Sequence, residues 1–197
     1  MYQMYQTLQR CAVVLLVLLS SRGELLAATA TDDLWTRLAA GGQAVLLRHA
    51  IAPGTGDPPT FKLGDCSTQR NLSDAGRQQA RRIGAAFRQH SAKVDKVYTS
   101  QWCRSQDTAE LLGLGPVEPL PLLNSFFANR SAGKAQTAAL EHFLKTTSFS
   151  GVVVLVTHQV NITALTGIYL GSGEAVVVEM PEAQSLRVLG RLSVAPE

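Results

Sequence analysis

Two histidines stand directly after apolar runs. Val45-Leu46-Leu47 leads into Arg48-His49, and Val154-Leu155-Val156-Thr157 leads into His158. A third run, Val97-Tyr98-Thr99-Ser100, leads into a turn and helix start bearing Arg104. Imidazole can act as a nucleophile, forming a covalent intermediate that splits one hard displacement into two easier ones. For that, one ring nitrogen must be unprotonated and the other held by a hydrogen bond that sets the tautomer. Attack on a phosphate monoester also requires compensation for charge on the transferring group. Arginine supplies it with fixed, paired donors that match phosphate oxygens. A second imidazole can donate to the same oxygens, and a helix opening after Gln159 can add backbone N–H groups and its dipole. With arginine and histidine stabilising the developing charge, the chemistry calls for no metal or cofactor. The chain has no CxxC and no close pair of histidines that would suggest a zinc site. A lone histidine at a strand end is more often structural. Two histidines and two arginines after three such runs make coincidence harder to sustain.

These residues need rigid elements beneath them. Residues 31–40 read as a short helix with Leu34, Trp35 and Leu38 on its apolar side, ended by Gly41-Gly42. Gln43 to Arg48 reads as a strand buried on both faces. The stretch 50–71 holds Pro53, Gly54, Gly56, Pro58, Pro59 and Gly64 and reads as a long loop, a length usually functional or mobile. Ser73 is placed to cap a helix whose Ala80, Ile83 and Phe87 recur at helical spacing. Its other face carries Arg77, Arg81, Arg82 and Arg88, which read first as a solvated face. A strand over Val94–Tyr98, a helix over Gln101–Leu112, an extended segment over Val117–Leu123 and a helix over Lys134–Lys145 follow. Gly151–Thr157 is the strongest strand, again apolar on both faces. Ala175–Val178 and Leu186–Val194 alternate like edge strands or a hairpin. Strands apolar on both faces, alternating with helices, predict a three-layer α/β/α sandwich with a mostly parallel central sheet. Ligands of such sheets bind beyond the carboxyl ends of the strands, where Arg48-His49, Arg104 and His158 would lie.

At 197 residues the chain suits one domain, and 46% hydrophobic against 17% charged residues excludes a disordered or fibrous protein. Part of that apolar content sits at the amino terminus. Arg10 precedes the uninterrupted run from Cys11 to Leu19, and Ala28 and Ala30 offer an A-x-A cleavage pattern. This is the signature of an export signal over residues 1–30, and the run is shorter than the roughly 20 residues of a membrane span. The expectation is a single domain over residues 31–197, exported to the periplasm or secreted, with no membrane span after cleavage. Cleavage removes Arg10, Arg22 and Glu24, so the formal +3 becomes +2, with 16 basic and 14 acidic residues. That mild balance, without interleaved aromatics, gives no footprint for nucleic acid. Cleavage also leaves two cysteines, Cys66 and Cys103. An even count in an exported chain predicts a disulfide, the alternative being two buried thiols.

The motifs together resemble the histidine phosphatase superfamily, also called phosphoglycerate mutase-like. The resemblance covers roughly Val45 to Thr166 in the family's order. It rests on Leu47-Arg48-His49, on Leu72-Ser73-Asp74-Ala75-Gly76-Arg77-Gln78-Gln79-Ala80, on Ser100-Gln101-Trp102-Cys103-Arg104, and on Val156-Thr157-His158. It implies that His49 becomes phosphohistidine, that Arg48 and Arg104 clamp the phosphate, and that His158 completes the pocket. Thr55 stands about where the mutase branch has a phosphate-binding Asn, making it a candidate contact. Ala50 replaces the Gly usual after the nucleophile, and Gln159 stands where branches have Gly or Asp. Asn124, in Leu122-Leu123-Asn124, stands where mutase-like members carry a Glu, and an amide cannot deliver a proton. Asp57, Glu118, Glu141 and Glu179 remain as acids, with no choice among them.

The reading is an exported phosphomonoester hydrolase acting through phosphohistidine at His49, its substrate a phosphorylated small molecule or a cell-envelope sugar phosphate. Without the Glu, a phosphoglycerate mutase-type phosphotransferase is disfavoured. Two other classes stay open. One is a non-catalytic module that binds phosphorylated ligands. The other is an envelope interaction protein that uses Arg77, Arg81 and Arg88.

Overall fold

The apolar runs around Val45, Val97, Val154 and Val177 become neighbours in one sheet. The structure is a computed structural model that describes residues 31–179 and 186–194. The chain divides into two compact units, residues 1–33 and 34–197. Of the first, only residues 31–33 are described, and they are helical. The expected export signal and its cleavage point therefore lie outside the described residues. Among the described residues no helix is long and apolar enough to cross a membrane.

The second unit opens with helix α1, residues 34–40. Strand β1 (Ala44–Arg48), helix α2 (Asp74–Gln89), strand β2 (Val94–Thr99), helix α3 (Cys103–Leu112) and strand β3 (Val117–Pro119) follow. Then come α4 (Gly133–Thr146), β4 (Val152–Thr157), α5 (Gln159–Thr166), β5 (Ala175–Glu179) and β6 (Arg187–Leu192). The six strands lie in the order β3-β2-β4-β1-β5-β6. Pairing is parallel from β3 through β1 and antiparallel at β1/β5 and β5/β6. The sheet is thus mostly parallel with an antiparallel hairpin on one side.

Alternate residues of the buried strands feed two cores. Val45, Leu47, Val154 and Val156 pack with Leu38 of α1, Ile83 and Phe87 of α2, and Leu112 of α3. Leu46, Val153, Leu155 and Val176 face the other way, onto Leu140 and Leu144 of α4 and Ile162 of α5. This is the expected three-layer arrangement. Every residue of β4 is buried, which explains its lack of alternation. Each such side chain contributes about 1.5–3 kcal/mol of burial.

Helix α2 starts as its sequence predicts. The Ser73 hydroxyl accepts from the Gly76 N–H at 3.1 Å. Gly76 and Gly84, one on each side of the helix centre, let it approach its neighbours closely. A Cβ at Gly76 would meet the Ile51 carbonyl oxygen at 2.1 Å, and one at Gly84 would meet the Leu112 carbonyl oxygen at 1.8 Å. Gly76 thereby presses α2 against the loop that follows the nucleophile candidate.

Of the two expectations for the tail, the hairpin holds: β5 pairs antiparallel with β6. The edge position does not hold for β5, which is interior and buried at Ala175–Val178 because it also pairs with β1. The segment Val117–Leu123 is a strand only to Pro119; Pro121–Leu123 winds into a 3-10 turn with proline at its start. The basic face of α2 lies at the surface as expected, with Arg81 and Arg88 exposed, yet two of its arginines also make contacts. Arg77 pairs with Asp107 at 2.9 Å, and Arg88 donates to the Leu112 and Gly113 carbonyls at the end of α3.

Candidate active site

Parallel pairing brings three strand ends level. Arg48 of β1 lies opposite Thr157 of β4, and Thr99 of β2 lies opposite Val156. The next residues carry the ladder one step further. His49 N–H donates to the Thr157 carbonyl at 3.0 Å, and Ser100 N–H donates to the Val156 carbonyl at 2.9 Å. Beyond these ends opens a cavity of about 870 Å³ lined by Arg48, His49, Arg104 and His158, the four residues expected from sequence. Thr55 also lines it, from the exposed loop after β1.

The tautomer of His49 is set by its surroundings. Its Nδ1 lies 2.8 Å from the Ala50 carbonyl, which only accepts, so Nδ1 carries the proton. Nε2 then offers its lone pair and accepts from Arg104 Nε–H at 3.2 Å. Burial, followed by the charges of Arg104, Arg70 and Arg48, lowers the His49 pKa to about 3, although the bond to Ala50 opposes this. His49 is therefore a neutral imidazole over the working range of most enzymes. Ala50 in the usual Gly position is fully buried, and its N–H donates to the Thr108 hydroxyl. That hydroxyl in turn donates to the Arg104 carbonyl.

Arg48 is half committed. Its Nη1 donates to the Leu170 carbonyl at 2.7 Å, whereas its buried Nε has no partner. An orphaned donor of this kind costs about 1–3 kcal/mol unless a ligand satisfies it. His158 opposes His49 with ring centroids 5.4 Å apart. Its Nε2 is hydrogen-bonded to the Ser100 hydroxyl at 2.8 Å. Burial, then the neighbouring His49 and the three arginines, push its pKa well below the usual imidazole value.

Asn124 explains why no acid stands there. Its Oδ1 accepts from Gln101 N–H at 2.9 Å and lies 3.4 Å from the Ser100 hydroxyl. Its Nδ2 donates to the Gln101 side chain at 2.8 Å, and its carbonyl accepts from Gln136 and Asn161. Both halves of the amide are used, and they brace the turn that holds Ser100 against His158. The other acids separate cleanly. Glu118 pairs with Lys96, Glu141 with Lys145 and Glu179 with Arg187, all away from the cavity. Asp57 alone of the four candidates lines it. Its Oδ1 accepts from Arg104 Nη1 at 2.6 Å, and its Oδ2 from Arg104 Nη2 at 3.1 Å and Trp102 Nε1 at 3.0 Å. Burial alone would raise the Asp57 pKa, but the bonds and charge of Arg104, with Trp102 and the Arg70 N–H, hold it below the usual carboxylate value.

Sequence reasoning missed Arg70. Its Nε donates to the Gly56 carbonyl at 2.7 Å and its Nη1 to the Ala52 carbonyl, so it ties down the loop bearing Asp57. Gly56, at φ +71°, takes the left-handed turn that exposes this carbonyl. Burial and Arg104, opposed by Asp57, lower the Arg70 pKa to about 10. An arginine inside a loop rich in proline and glycine, just before a helix cap, was the available signal. The predicted disulfide joins the same pieces: Cys66 and Cys103 are bonded, with Sγ atoms 2.05 Å apart. The bond links the loop of Asp57 and Arg70 to the first residue of α3, next to Arg104. His90, expected to be solvated, is exposed yet stacks on Trp35 at 4.5 Å. Among the described residues, no group of three or more His, Cys, Asp or Glu is placed to hold a metal.

Against known proteins, the sequence model of the histidine phosphatase superfamily (branch 1) matches residues 45–149, more than half of the chain. No curated protein matches the sequence significantly. Among solved structures, the chain is similar to the protein histidine phosphatase SixA complexed with tungstate, with a TM-score of 0.55 and 16% identity over 77% of this chain and 96% of that one. It is similar to the mycobacterial glucosyl-3-phosphoglycerate phosphatase Rv2419c, with a TM-score of 0.56 and 17% identity over 74% and 96%. Phosphoserine phosphatase from Entamoeba histolytica, solved with 3-phosphoglyceric acid, aligns with a TM-score of 0.58 and 14% identity over 77% and 97%. These structural likenesses concern the fold. The sequence match spans the strand that delivers Arg48-His49 and the helix that bears Arg104, and on that ground the chain belongs to the histidine phosphatase superfamily.

Proposed function

We propose that this histidine phosphatase superfamily enzyme hydrolyses phosphate monoesters through a phosphohistidine formed on His49. The observation that carries the reading is the state of that ring. Nδ1–H is committed to a carbonyl and the Nε2 lone pair points at Arg104, so a neutral nucleophile faces a cationic clamp. The unpartnered Arg48 Nε supplies a further donor for an anion. In the first half-reaction Nε2 attacks phosphorus while the bond to the ester oxygen breaks. Arg48, Arg104 and His158 carry the charge on the equatorial oxygens. In the second, water displaces the imidazole and inorganic phosphate leaves.

Export to the periplasm or outside the cell fits the amino-terminal pattern and the Cys66–Cys103 bond, which persists in oxidising compartments. The substrate class is a phosphorylated small molecule, with an envelope sugar phosphate as one candidate. The cavity is far larger than a phosphate, and Phe61, Trp102, Phe126, Phe127 and Tyr169 give it broad apolar faces for the rest of the ligand. The reading as a binding module drew on the missing Glu; Asp57 in the cavity is a carboxylate that weakens that motive. The reading as an interaction protein drew on Arg77, Arg81 and Arg88; Arg77 and Arg88 serve contacts between α2 and α3, and Arg81 is exposed.

A panel of phosphate monoesters, assayed with and without chelator, tests the proposal. Turnover is expected with both and is expected to vanish in His49→Ala. Near-wild-type activity of that variant would end it.

A further inference from the structure

Among the described residues that line the cavity, Asp57 contributes the only carboxylate, and it occupies the donors that an anion needs. Its two oxygens cover Nη1 and Nη2 of Arg104, while the Nε of the same guanidinium touches the His49 nucleophile. A phosphoryl group bound at His49 must draw on that guanidinium as well. Phosphate and Asp57 therefore compete for Arg104, and the dianion, with more charge and more oxygens, takes it. The carboxylate can leave without the loop moving: Arg70 holds the backbone at Ala52 and Gly56, whereas Arg104 meets Asp57 only through its side-chain oxygens. Released from Arg104, the carboxylate remains beside the ester, next to Trp102 and close to a second negative charge. Both the lost partner and the new neighbour favour its protonated form.

We propose that Asp57 is the group that protonates the leaving oxygen, doing here what Asn124 cannot. The inference rests on the phosphohistidine reading of His49. The proton arrives with the substrate, since a phosphate monoester has a second pKa of about 6 and is partly monoanionic near neutrality. Binding among Arg48, Arg104 and Arg70 strips that proton from the phosphate, and Asp57 accepts it. When Nε2 forms its bond to phosphorus, the P–O bond breaks, its electron pair stays on the ester oxygen, and the Asp57 proton moves there to release an alcohol. In the return step Asp57, now ionised, takes a proton from the attacking water. The P–N pair goes back to Nε2, Asp57 returns its proton to the phosphate as Arg104 is freed, and inorganic phosphate departs as the monoanion. Every proton and pair is accounted for without a co-reactant beyond water.

The test compares two esters on the same preparation of Asp57→Asn. p-Nitrophenyl phosphate has a leaving group that departs as an anion unaided; glycerol 2-phosphate has an alkoxide that does not. A general acid contributes about 10²–10⁴-fold to a step that needs it. The kcat/KM for glycerol 2-phosphate is therefore expected to fall at least about a hundredfold, and that for p-nitrophenyl phosphate by less than about tenfold. This constant covers formation of the phosphohistidine alone, and the ratio of the two values is independent of how much of the variant is folded. An unchanged ratio, whether from equal losses or from no loss, overturns the assignment. His49→Ala separates this result from the parent reading. If it is inactive on both esters while the Asp57→Asn ratio is unchanged, only the acid is wrong. If it retains turnover, the phosphohistidine is wrong as well.

Discussion

At the residue scale, the site depends on what each polar group is denied as much as on what it contacts. His49 is denied a proton on Nε2 because the ring is buried, three arginines stand nearby, and Nδ1–H already has a carbonyl partner. Arg48 is denied a partner for Nε, which leaves a buried donor open to an anion in the proposed function. Arg104 combines a fork of donors with contact to the nucleophile, which a point charge cannot do. Arg104→Lys is expected to lower kcat/KM on p-nitrophenyl phosphate by about 10²–10³-fold. Steady-state kinetics on folded variant give the answer, and a loss under about threefold would contradict the role given to the fork. The four central residues were legible in sequence because Arg48-His49 and His158 stand at the ends of recognisable apolar runs and Arg104 stands at the helix start after a third. Arg70 and the placement of Asp57 were not, since both lie in a loop whose path is set by side-chain bonds to backbone carbonyls rather than by periodicity.

At the scale of elements, the parallel register of β1, β4 and β2 aligns the site, and one covalent bond ties the loop to it. The Cys66–Cys103 link spans 37 residues and joins the loop of Asp57 and Arg70 to the start of α3. Closing a loop of that length removes chain entropy worth about 4 kcal/mol from the unfolded state. A Cys66→Ser, Cys103→Ser double variant is expected to lose stability of that order in urea unfolding, with a raised KM as the loop slackens. Unchanged stability and KM would show that the loop is held without the bond. The strands and helices were legible from burial on two faces and from helical spacing. The interior position of β5 was not, because a short apolar strand reads alike at an edge or within a sheet until its partners are known. The turn at Pro121–Leu123 was likewise hidden, since proline permits an extended chain and a 3-10 start equally well.

For the whole molecule, two buried neutral imidazoles link stability to pH. The folded pKa of His49 is about 3 and that of His158 is also well below the free value near 6.5. Below about pH 6.5 the unfolded chain binds protons that the folded one refuses, so stability is complete above that pH and falls as pH drops. Each histidine contributes a slope of up to about 1.4 kcal/mol per pH unit, continuing for His49 down to about pH 3. The Asp57 carboxylate, also held low, adds a loss of the same sign at more acid pH. Urea midpoints are therefore expected to be level between about pH 7 and 8 and to decline steadily from about pH 6 to 4. A midpoint independent of pH across that acid range would mean that the two rings take up protons within the fold.

The central claim is a covalent bond between phosphorus and His49 Nε2. The direct measurement is to mix enzyme with p-nitrophenyl phosphate, quench in alkali within the first turnover, digest, and locate the modified peptide by mass spectrometry. The account predicts one added phosphoryl group on His49, stable to base and lost in acid, and absent from His49→Ala. Burst release of nitrophenol with the phosphoryl group on another residue, or turnover with no phosphorylated enzyme at any quench time, would contradict it.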